Sequence, residues 1–225
     1  MEKIIDLHED FYKSIQNDLE VKEKLEREKI TILYGFIENR ELVRLYYQAF
    51  YISKTPRIVL CGINPGKNGA GKTGIPFIDF NGASELFPNV DQDDKERSAQ
   101  FILSVISEIG KMKFHKNVYM TNLSWFGFIQ DNKNMNYFDL PTPLESVFTD
   151  SFLSEMEIVR PKMIIPLSKD VEQALNKMTE EGRLNYPVGP RLPHPYYCSF
   201  GKREDKYKEK YVNRITSSMG RLALS

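Results

Sequence analysis

A glycine-rich segment with the spacing of a nucleotide-binding loop is the first feature of the sequence that could do chemistry. Residues 66–73 read Gly-Lys-Asn-Gly-Ala-Gly-Lys-Thr and match G-x-x-x-x-G-K-[ST] directly after a predicted strand. In a P-loop the lysine opens a helix whose N-terminal amides hold phosphates, and here Gly74 and Pro76 disfavour that helix. Later apolar runs end in Asn122 and Ser168, not in an acid that would hold magnesium. A P-loop NTPase is therefore a minor interpretation, beside a glycine-rich turn without a ligand.

Two polar side chains elsewhere stand where a ligand can use them. Asn122 ends an apolar run, and its amide offers both a donor and an acceptor, although a strand-end cap explains it equally well. His194 lies between two prolines that present the imidazole rigidly, which favours a site over a surface residue. The other histidines, His8 and His115, lie in charged segments and are predicted to be solvated.

The apolar pattern indicates the elements that must position these residues. Three short apolar runs are typical of strands buried on both faces: 57–61, 118–122 and 162–167. Helices are predicted between and after these strands, over 101–109, 144–158 and 169–178. Ser168 is a good N-cap for the last helix. This alternation predicts a parallel sheet in a three-layer α/β/α sandwich, with ligands bound beyond the carboxyl ends of the strands.

The first part of the chain has a different character. Residues 2–53 are rich in Glu, Lys, Leu and aromatic residues, contain Gly35 as their only glycine, and are predicted to form two or three helices. Nothing divides the remaining sequence into separate units. We therefore expect one domain over residues 1–225, with residues 1–55 as a helical part packed on it.

Composition narrows the class of protein. Lys plus Arg and Asp plus Glu are equal at 31 each, so any nucleic-acid binding must come from a local patch. Two cysteines in dissimilar settings and three histidines indicate neither a disulfide framework nor a metal site. No run approaches the roughly 18 to 20 apolar residues of a spanning helix, and the acidic start does not suit a signal peptide. A soluble, cytoplasmic protein is expected.

Three segments together resemble the motifs of a known family. Residues 62–66 (Gly-Ile-Asn-Pro-Gly), then Gly69, then residues 73–77 (Thr-Gly-Ile-Pro-Phe) are similar to the first motif of the single-strand-selective monofunctional uracil-DNA glycosylases and their bacterial sister group. Asn122-Leu-Ser and residues 192–195 (Leu-Pro-His-Pro) resemble two further motifs. The resemblance covers roughly residues 56–212 and places the chain in the uracil-DNA glycosylase superfamily, with departures at Lys67-Asn68 and at residues 196–200.

This resemblance implies a fold and an activity. The central sheet is expected to be four-stranded and mainly parallel. The activity is that of a monofunctional DNA glycosylase that needs no metal or cofactor, hydrolyses the N-glycosidic bond of a flipped uracil or modified pyrimidine and leaves an abasic site for base excision repair. The partner is single- or double-stranded DNA, and a monomer is expected. Uracil, a thymine oxidation product and a bulkier cytosine derivative of the kind found in phage DNA all remain possible substrates.

The resemblance also assigns the reaction to particular residues. Asn64 matches the position that orients water, and His194 matches the histidine that stabilises negative charge on the leaving base. Asp79 is a possible proton acceptor because a carboxylate is more basic than an amide. A residue in an Asn-Pro turn and a turn-capping aspartate are the structural alternatives for Asn64 and Asp79.

Base binding is assigned in the same way to Ile63, Gly66, Phe77 and Asn122. Phe77 is expected to stack on the base and Asn122 to read the pyrimidine edge. Ordinary core packing is the alternative for Phe77.

The candidate DNA-binding residues are Lys67, Lys72, Tyr196, Tyr197, Lys202 and Arg203. The cations would contact phosphates and the tyrosines would wedge into the base stack. Solvated surface positions and loop packing are the alternatives. A non-catalytic DNA- or nucleotide-binding protein of the same fold is the competing hypothesis, but such a module does not need both a water-orienting amide and an anion-stabilising imidazole.

Overall fold

The strands of the computed structural model, which describes residues 2–52 and 55–220, form two sheets. They are β1 (Ile30–Leu33), β2 (Ile58–Gly62), β3 (Val118–Asn122), β4 (Gly127–Gln130), β5 (Lys133–Met135) and β6 (Met163–Pro166). The parallel sheet has the order β3-β2-β6. Every residue of β2 and β3 is buried, which requires layers on both faces. The predicted three-layer α/β/α sandwich is confirmed.

The parallel sheet has one strand fewer than the four expected. Beside β6, Val188 forms only a single parallel bridge with Ile164. The Ile164 N–H donates to the Pro187 carbonyl, and the Gly189 N–H donates to the Ile164 carbonyl, both at 2.8 Å. Because the neighbouring prolines have no N–H to extend the ladder, this segment contributes a bridge instead of a fourth strand.

Helices surround both sheets. They are α1 (Glu2–Asn17), α2 (Leu19–Arg27), α3 (Gly35–Glu38), α4 (Arg40–Phe50), α5 (Ala70–Thr73), α6 (Phe80–Leu86), α7 (Arg97–Ile109), α8 (Lys111–Asn117), α9 (Leu144–Val159), α10 (Lys169–Glu180), α11 (Pro195–Cys198) and α12 (Arg203–Gly220). The helices predicted from apolar spacing are α7, α9 and α10, and Ser168 caps α10 by accepting the Val171 N–H at 3.2 Å. No described helix is long and apolar enough to cross a membrane.

The second sheet was not predicted. It is antiparallel with the order β1-β4-β5, and β1 lies within the N-terminal section that the sequence suggested was only helical. Strands β4 and β5 are joined by Asp131 and Asn132, whose φ values of 48° and 58° suit a two-residue hairpin turn. This hairpin forms one wall of the cavity described below.

The N-terminal section braces the glycine-rich loop. A side chain at Gly35 would lie 2.3 Å from the backbone oxygens of Gly71 and Lys72, so only glycine permits this contact of backbones. The Asn39 amide donates to the Lys72 carbonyl at 2.9 Å. The start of α3 and the residue before α4 therefore pack against the glycine-rich loop and fix its position.

The prediction that His8 and His115 are solvated is wrong. Both side chains are buried, because each lies on the inward face of a helix whose charged residues point outward. His8 stacks on Trp125 with ring centroids 3.8 Å apart. Its Nε2 lies 3.4 Å from the buried carboxylate of Glu155 without making a hydrogen bond.

Candidate active site

A cavity of about 440 Å³ opens at the carboxyl ends of β2 and β3. This is the edge of a parallel sheet at which ligands usually bind, and the volume lies within the range of small-molecule pockets. The structure brings the proposed catalytic and base-binding residues together in its lining: Ile63, Asn64, Gly66, Phe77, Asn122 and His194.

Asn122, the last residue of β3, lines this cavity. It pairs with Gly62 across the two strands, and the Leu123 N–H continues the pairing by donating to the Gly62 carbonyl at 3.0 Å. Only 4% of Asn122 is exposed, and its side-chain amide makes no hydrogen bond to any described residue. Buried amides are normally paired within the protein, so this one is free to bond to water or to a ligand in the cavity.

Phe77 lies beside Asn122. A side-chain carbon at Gly62 would be 2.4 Å from Asn122 Oδ1 and 2.6 Å from Phe77 Cζ, so the ring and the amide meet over the same glycine. Phe77 has a φ of 61°, which is strained for an aromatic residue. The Thr73 hydroxyl holds this turn by donating to the Ile78 carbonyl at 2.6 Å. Strain held in this way is typical of functional sites.

Asn64 is fixed through both ends of its amide. Nδ2 donates to the carbonyls of Pro65 and Met135 at 3.3 and 3.1 Å, and Oδ1 accepts the Tyr137 N–H at 3.0 Å. One lone pair of Oδ1 remains free to accept a further hydrogen bond. The side chain can therefore orient a water molecule, but it cannot take its proton.

His194 presents a defined tautomer. Its Nδ1 accepts the Tyr196 N–H at 3.2 Å, so the neutral ring carries its proton on Nε2. Burial lowers the pKa of His194 below the ordinary 6.5, and the charges of Glu96 and Asp170 oppose this shift. At neutral pH the ring is therefore uncharged and offers one donor without a partner among the described residues.

Asp79 is not brought into the cavity lining. The carboxylate is fully buried and caps α6 by accepting the Gly82 N–H at 2.8 Å. It also accepts the Glu96 N–H at 2.7 Å and the Gln100 amide at 2.9 Å. These contacts agree with a capping role, the structural alternative considered for this residue.

Several lining residues were missed by sequence reasoning: Pro65, Asn68, Ala70, Glu96, Ser98, Asn134 and Asn136. Asn134 lies on β5 and Asn136 directly follows this strand; the Asp131-Asn132 dipeptide is the sequence signal for the hairpin turn before it. Glu96 is the only carboxylate in the described lining. No three His, Cys, Asp or Glu side chains of residues 2–52 and 55–220 come together as a metal site requires.

The glycine-rich segment does not form a phosphate cradle. Helix α5 has four residues, and Gly74, whose φ is 75°, is its C-cap. The Thr73 hydroxyl is buried, and Lys72 forms an ion pair with Asp94 at 2.7 Å. A P-loop needs this hydroxyl for magnesium and this lysine for phosphate, so the contacts argue against the NTPase interpretation.

The candidate DNA-binding residues fall into two places. Lys67 and Lys72 line a separate groove on the other side of the glycine-rich loop. Tyr196 lies at the cavity and is half-exposed, as is Tyr197 beside it. The Arg203 guanidinium lies 5.0 Å from the Tyr197 ring centroid. Phe200 is the third exposed aromatic side chain of this rim, and the Arg97 guanidinium lies 4.7 Å from its ring centroid. Lys202 is exposed nearby.

The chain is similar to known proteins in its fold and in its sequence. The crystal structure of SMUG2 from Pedobacter heparinus superposes with a TM-score of 0.71 and 25% sequence identity, over 87% of this chain and 89% of that one. No curated protein matches the sequence. The family model of the uracil DNA glycosylase superfamily matches residues 49–216. This chain therefore belongs to the uracil DNA glycosylase superfamily.

Proposed function

We propose that this protein is a monofunctional DNA glycosylase that hydrolyses the N-glycosidic bond of a uracil or modified pyrimidine flipped out of DNA. The observation that carries the proposal is the amide of Asn122, which lines the cavity beside the Phe77 ring and has no partner among the described residues. A ring and an amide edge are what a planar base with donors and acceptors on its rim needs. Membership of the superfamily supports a reaction on DNA.

The chemistry follows from the two sides of the cavity. Asn64 orients a water molecule through Oδ1, whose direction is set by the Tyr137 N–H. His194 donates from Nε2 to the oxygen on which negative charge develops as the base leaves. A neutral donor in a preorganised position stabilises that charge without any rearrangement at the moment of reaction.

The rim of the cavity suits the DNA that surrounds a flipped base. Tyr196, Tyr197 and Phe200 expose between 37% and 50% of their surface, which is unusual for three neighbouring aromatic residues. They can fill the space vacated in the base stack, and Lys202 and Arg203 can contact phosphates. We propose that the protein works as a monomer, since one chain supplies all of these groups.

The decisive experiment offers the protein oligonucleotides that carry different bases, followed by alkali to cut abasic sites. We expect cleavage at uracil or at one modified pyrimidine, with the same rate in the presence of chelator. His194→Ala is expected to slow single-turnover release by about 10²- to 10³-fold and to leave DNA affinity nearly unchanged. Tight binding of DNA without any alkali-labile site would instead identify a non-catalytic binding protein.

A further inference from the structure

Glu96 is a carboxylate that lines the cavity and has no role in the reaction proposed so far. We infer that Glu96 is a further catalytic residue, which takes the proton of the attacking water. This inference rests on the proposed glycosylase function and completes the one part of it that the other residues leave open.

The side chain of Glu96 is held in a fixed position. Oε1 accepts the Ser98 hydroxyl at 3.0 Å, and Oε2 accepts the Ala99 N–H at 2.9 Å. Its backbone N–H donates to the buried carboxylate of Asp79 at 2.7 Å. Gly69 of the glycine-rich loop packs directly against the side chain, since a carbon added to this glycine would lie 3.1 Å from Glu96 Cβ.

Both carboxylate oxygens retain acceptor capacity. A carboxylate offers about four lone-pair sites, and the two hydrogen bonds above use only half of them. No lysine, arginine or histidine among residues 2–52 and 55–220 lies in ion-pair contact with Glu96. Its negative charge is met by two hydrogen bonds and the N-terminus of α7, without a paired cation, in a cavity that also contains the candidate water-orienting residue.

Helix capping alone does not explain this charge. Glu96 is the N-cap of α7, but neutral Ser, Thr or Asn residues serve that position equally well. An anion also opposes the approach of DNA phosphates and of a leaving base that becomes negative. It is favourable where positive charge develops, as it does at the sugar when the glycosidic bond breaks and at a water molecule that is losing a proton.

The other candidates for the group that takes the proton from water are already engaged in hydrogen bonds. The amide of Asn64 is not basic, and its nitrogen already donates to two carbonyls. Asp79 is buried and its two oxygens accept three hydrogen bonds. Glu96 is thus the carboxylate that Asp79 positions at the cavity, and it is the one that meets substrate.

The step balances without any additional reactant. The oxygen of water bonds to the anomeric carbon of the sugar, the bond from that carbon to the base nitrogen breaks, and its electron pair leaves with the base. One proton of the water passes to Glu96 and then returns to the base anion, which His194 stabilises meanwhile. The products are the free base and the abasic sugar.

Glu96 and His194 line the same cavity. The negative charge of Glu96 is the main influence that raises the pKa of His194 against the effect of burial. Removing that charge is therefore expected to lower the pKa of His194, and NMR titration of the imidazole detects this whether or not the protein turns over.

The test compares the wild type with Glu96→Gln, which keeps an oxygen for the Ala99 N–H but has no charge. On the best substrate we expect single-turnover release to fall by about 10²-fold at neutral pH and to lose its rise with pH in the acid range. The melting temperature should be unchanged. Glu96→Asp, which keeps the charge, should recover part of the rate, and Glu108→Gln on the exposed side of α7 serves as the matched control.

The outcomes separate the two proposals. A wild-type protein that releases no base from any oligonucleotide overturns the proposed function. An active wild type with Glu96→Gln close to its rate, and an unchanged pH profile, overturns the role of Glu96 alone. A purely structural role predicts this second result, because Gln preserves the cap.

Discussion

The backbone N–H of Tyr137 donates to Oδ1 of Asn64 at 3.0 Å, while Nδ2 of the same amide donates to the carbonyls of Pro65 and Met135. The orientation of Asn64 is thus determined by one donor and two acceptors of the backbone. A carboxylate matches the Tyr137 N–H but not the two carbonyls.

Asn64→Asp is therefore expected to be no more active than Asn64→Ala, with base release at least about 10²-fold slower than in the wild type. From the sequence alone a carboxylate is expected to retain activity, since it can orient water and accept its proton. In the structure, an aspartate carboxylate at position 64 would be repelled by the carbonyl oxygens of Pro65 and Met135 and would adopt another orientation. Single-turnover rates of both variants check this. An active Asn64→Asp protein would show that the backbone around residue 64 rearranges to accommodate the carboxylate.

Gly62→Ala tests the meeting point of the ring and the amide. The added carbon would lie 2.4 Å from Asn122 Oδ1 and 2.6 Å from Phe77 Cζ, so both side chains must move. The backbone at this position tolerates alanine, because its φ is not positive. We expect the protein to fold and base release to fall by about 10²-fold.

Gly220→Ala is the control for this variant, since a side chain there meets nothing within 4 Å. Rates are compared together with melting temperatures. An unimpaired Gly62→Ala protein would mean that Phe77 and Asn122 do not hold the base between them.

Asn122→Leu should separate stability from activity. The side-chain amide of Asn122 has no partner among the described residues and lines an open cavity, so replacing it breaks no hydrogen bond within the protein. Leucine has a similar size, so the free energy of unfolding is expected to stay nearly constant. Base release should decrease by roughly 10- to 100-fold, because the edge contact is lost.

Denaturant unfolding and single-turnover assays measure the two effects. Asn213→Leu on the exposed face of α12 is the matched control and should change neither. A clear loss of stability in Asn122→Leu would show that the amide supports the fold as well as the substrate.

The sequence predicts the central sheet better than its surroundings. Strands β2 and β3 are apolar runs that can only be buried on both faces, and their ends bring Asn64 and Asn122 together without further information. Strand β1 is equally apolar, but its register pairs Ile30 with Gln130, a hundred residues away. Local patterns carry no signal for such a pairing.

Sequence reasoning missed Glu96 for a similar reason. Glu96 follows an acidic stretch, residues 91–94, that has the composition of a solvated loop. Its place in the cavity depends on Asp79, which holds its backbone from another segment. Contacts of this kind arise from the fold and not from the spacing of residues.

His115 is expected to make the stability of the protein depend on pH. Burial lowers the pKa of His115 from 6.5 to about 4, and the ring is held by the Lys111 carbonyl and the Tyr46 hydroxyl. The unfolded chain binds a proton near pH 6.5 while the folded chain does not, so the free energy of unfolding decreases as pH falls through this window. The contribution of His115 to the free energy of unfolding is fully present above pH 6.5. The loss by pH 4 is about 3 kcal/mol from this residue.

His115→Gln isolates this contribution, because glutamine keeps an acceptor for Tyr46 but does not titrate. The variant is expected to be less stable than the wild type at pH 7.5 and to approach it at pH 4.5, so the two curves of unfolding free energy against pH converge on acidification. Denaturant unfolding at intervals between these values provides the curves. The carboxylates and His194 titrate in both proteins, so their contributions cancel in the difference between the two unfolding free energies. Parallel curves would show that His115 is protonated in the folded state as readily as in the unfolded chain, and that its burial does not control its charge.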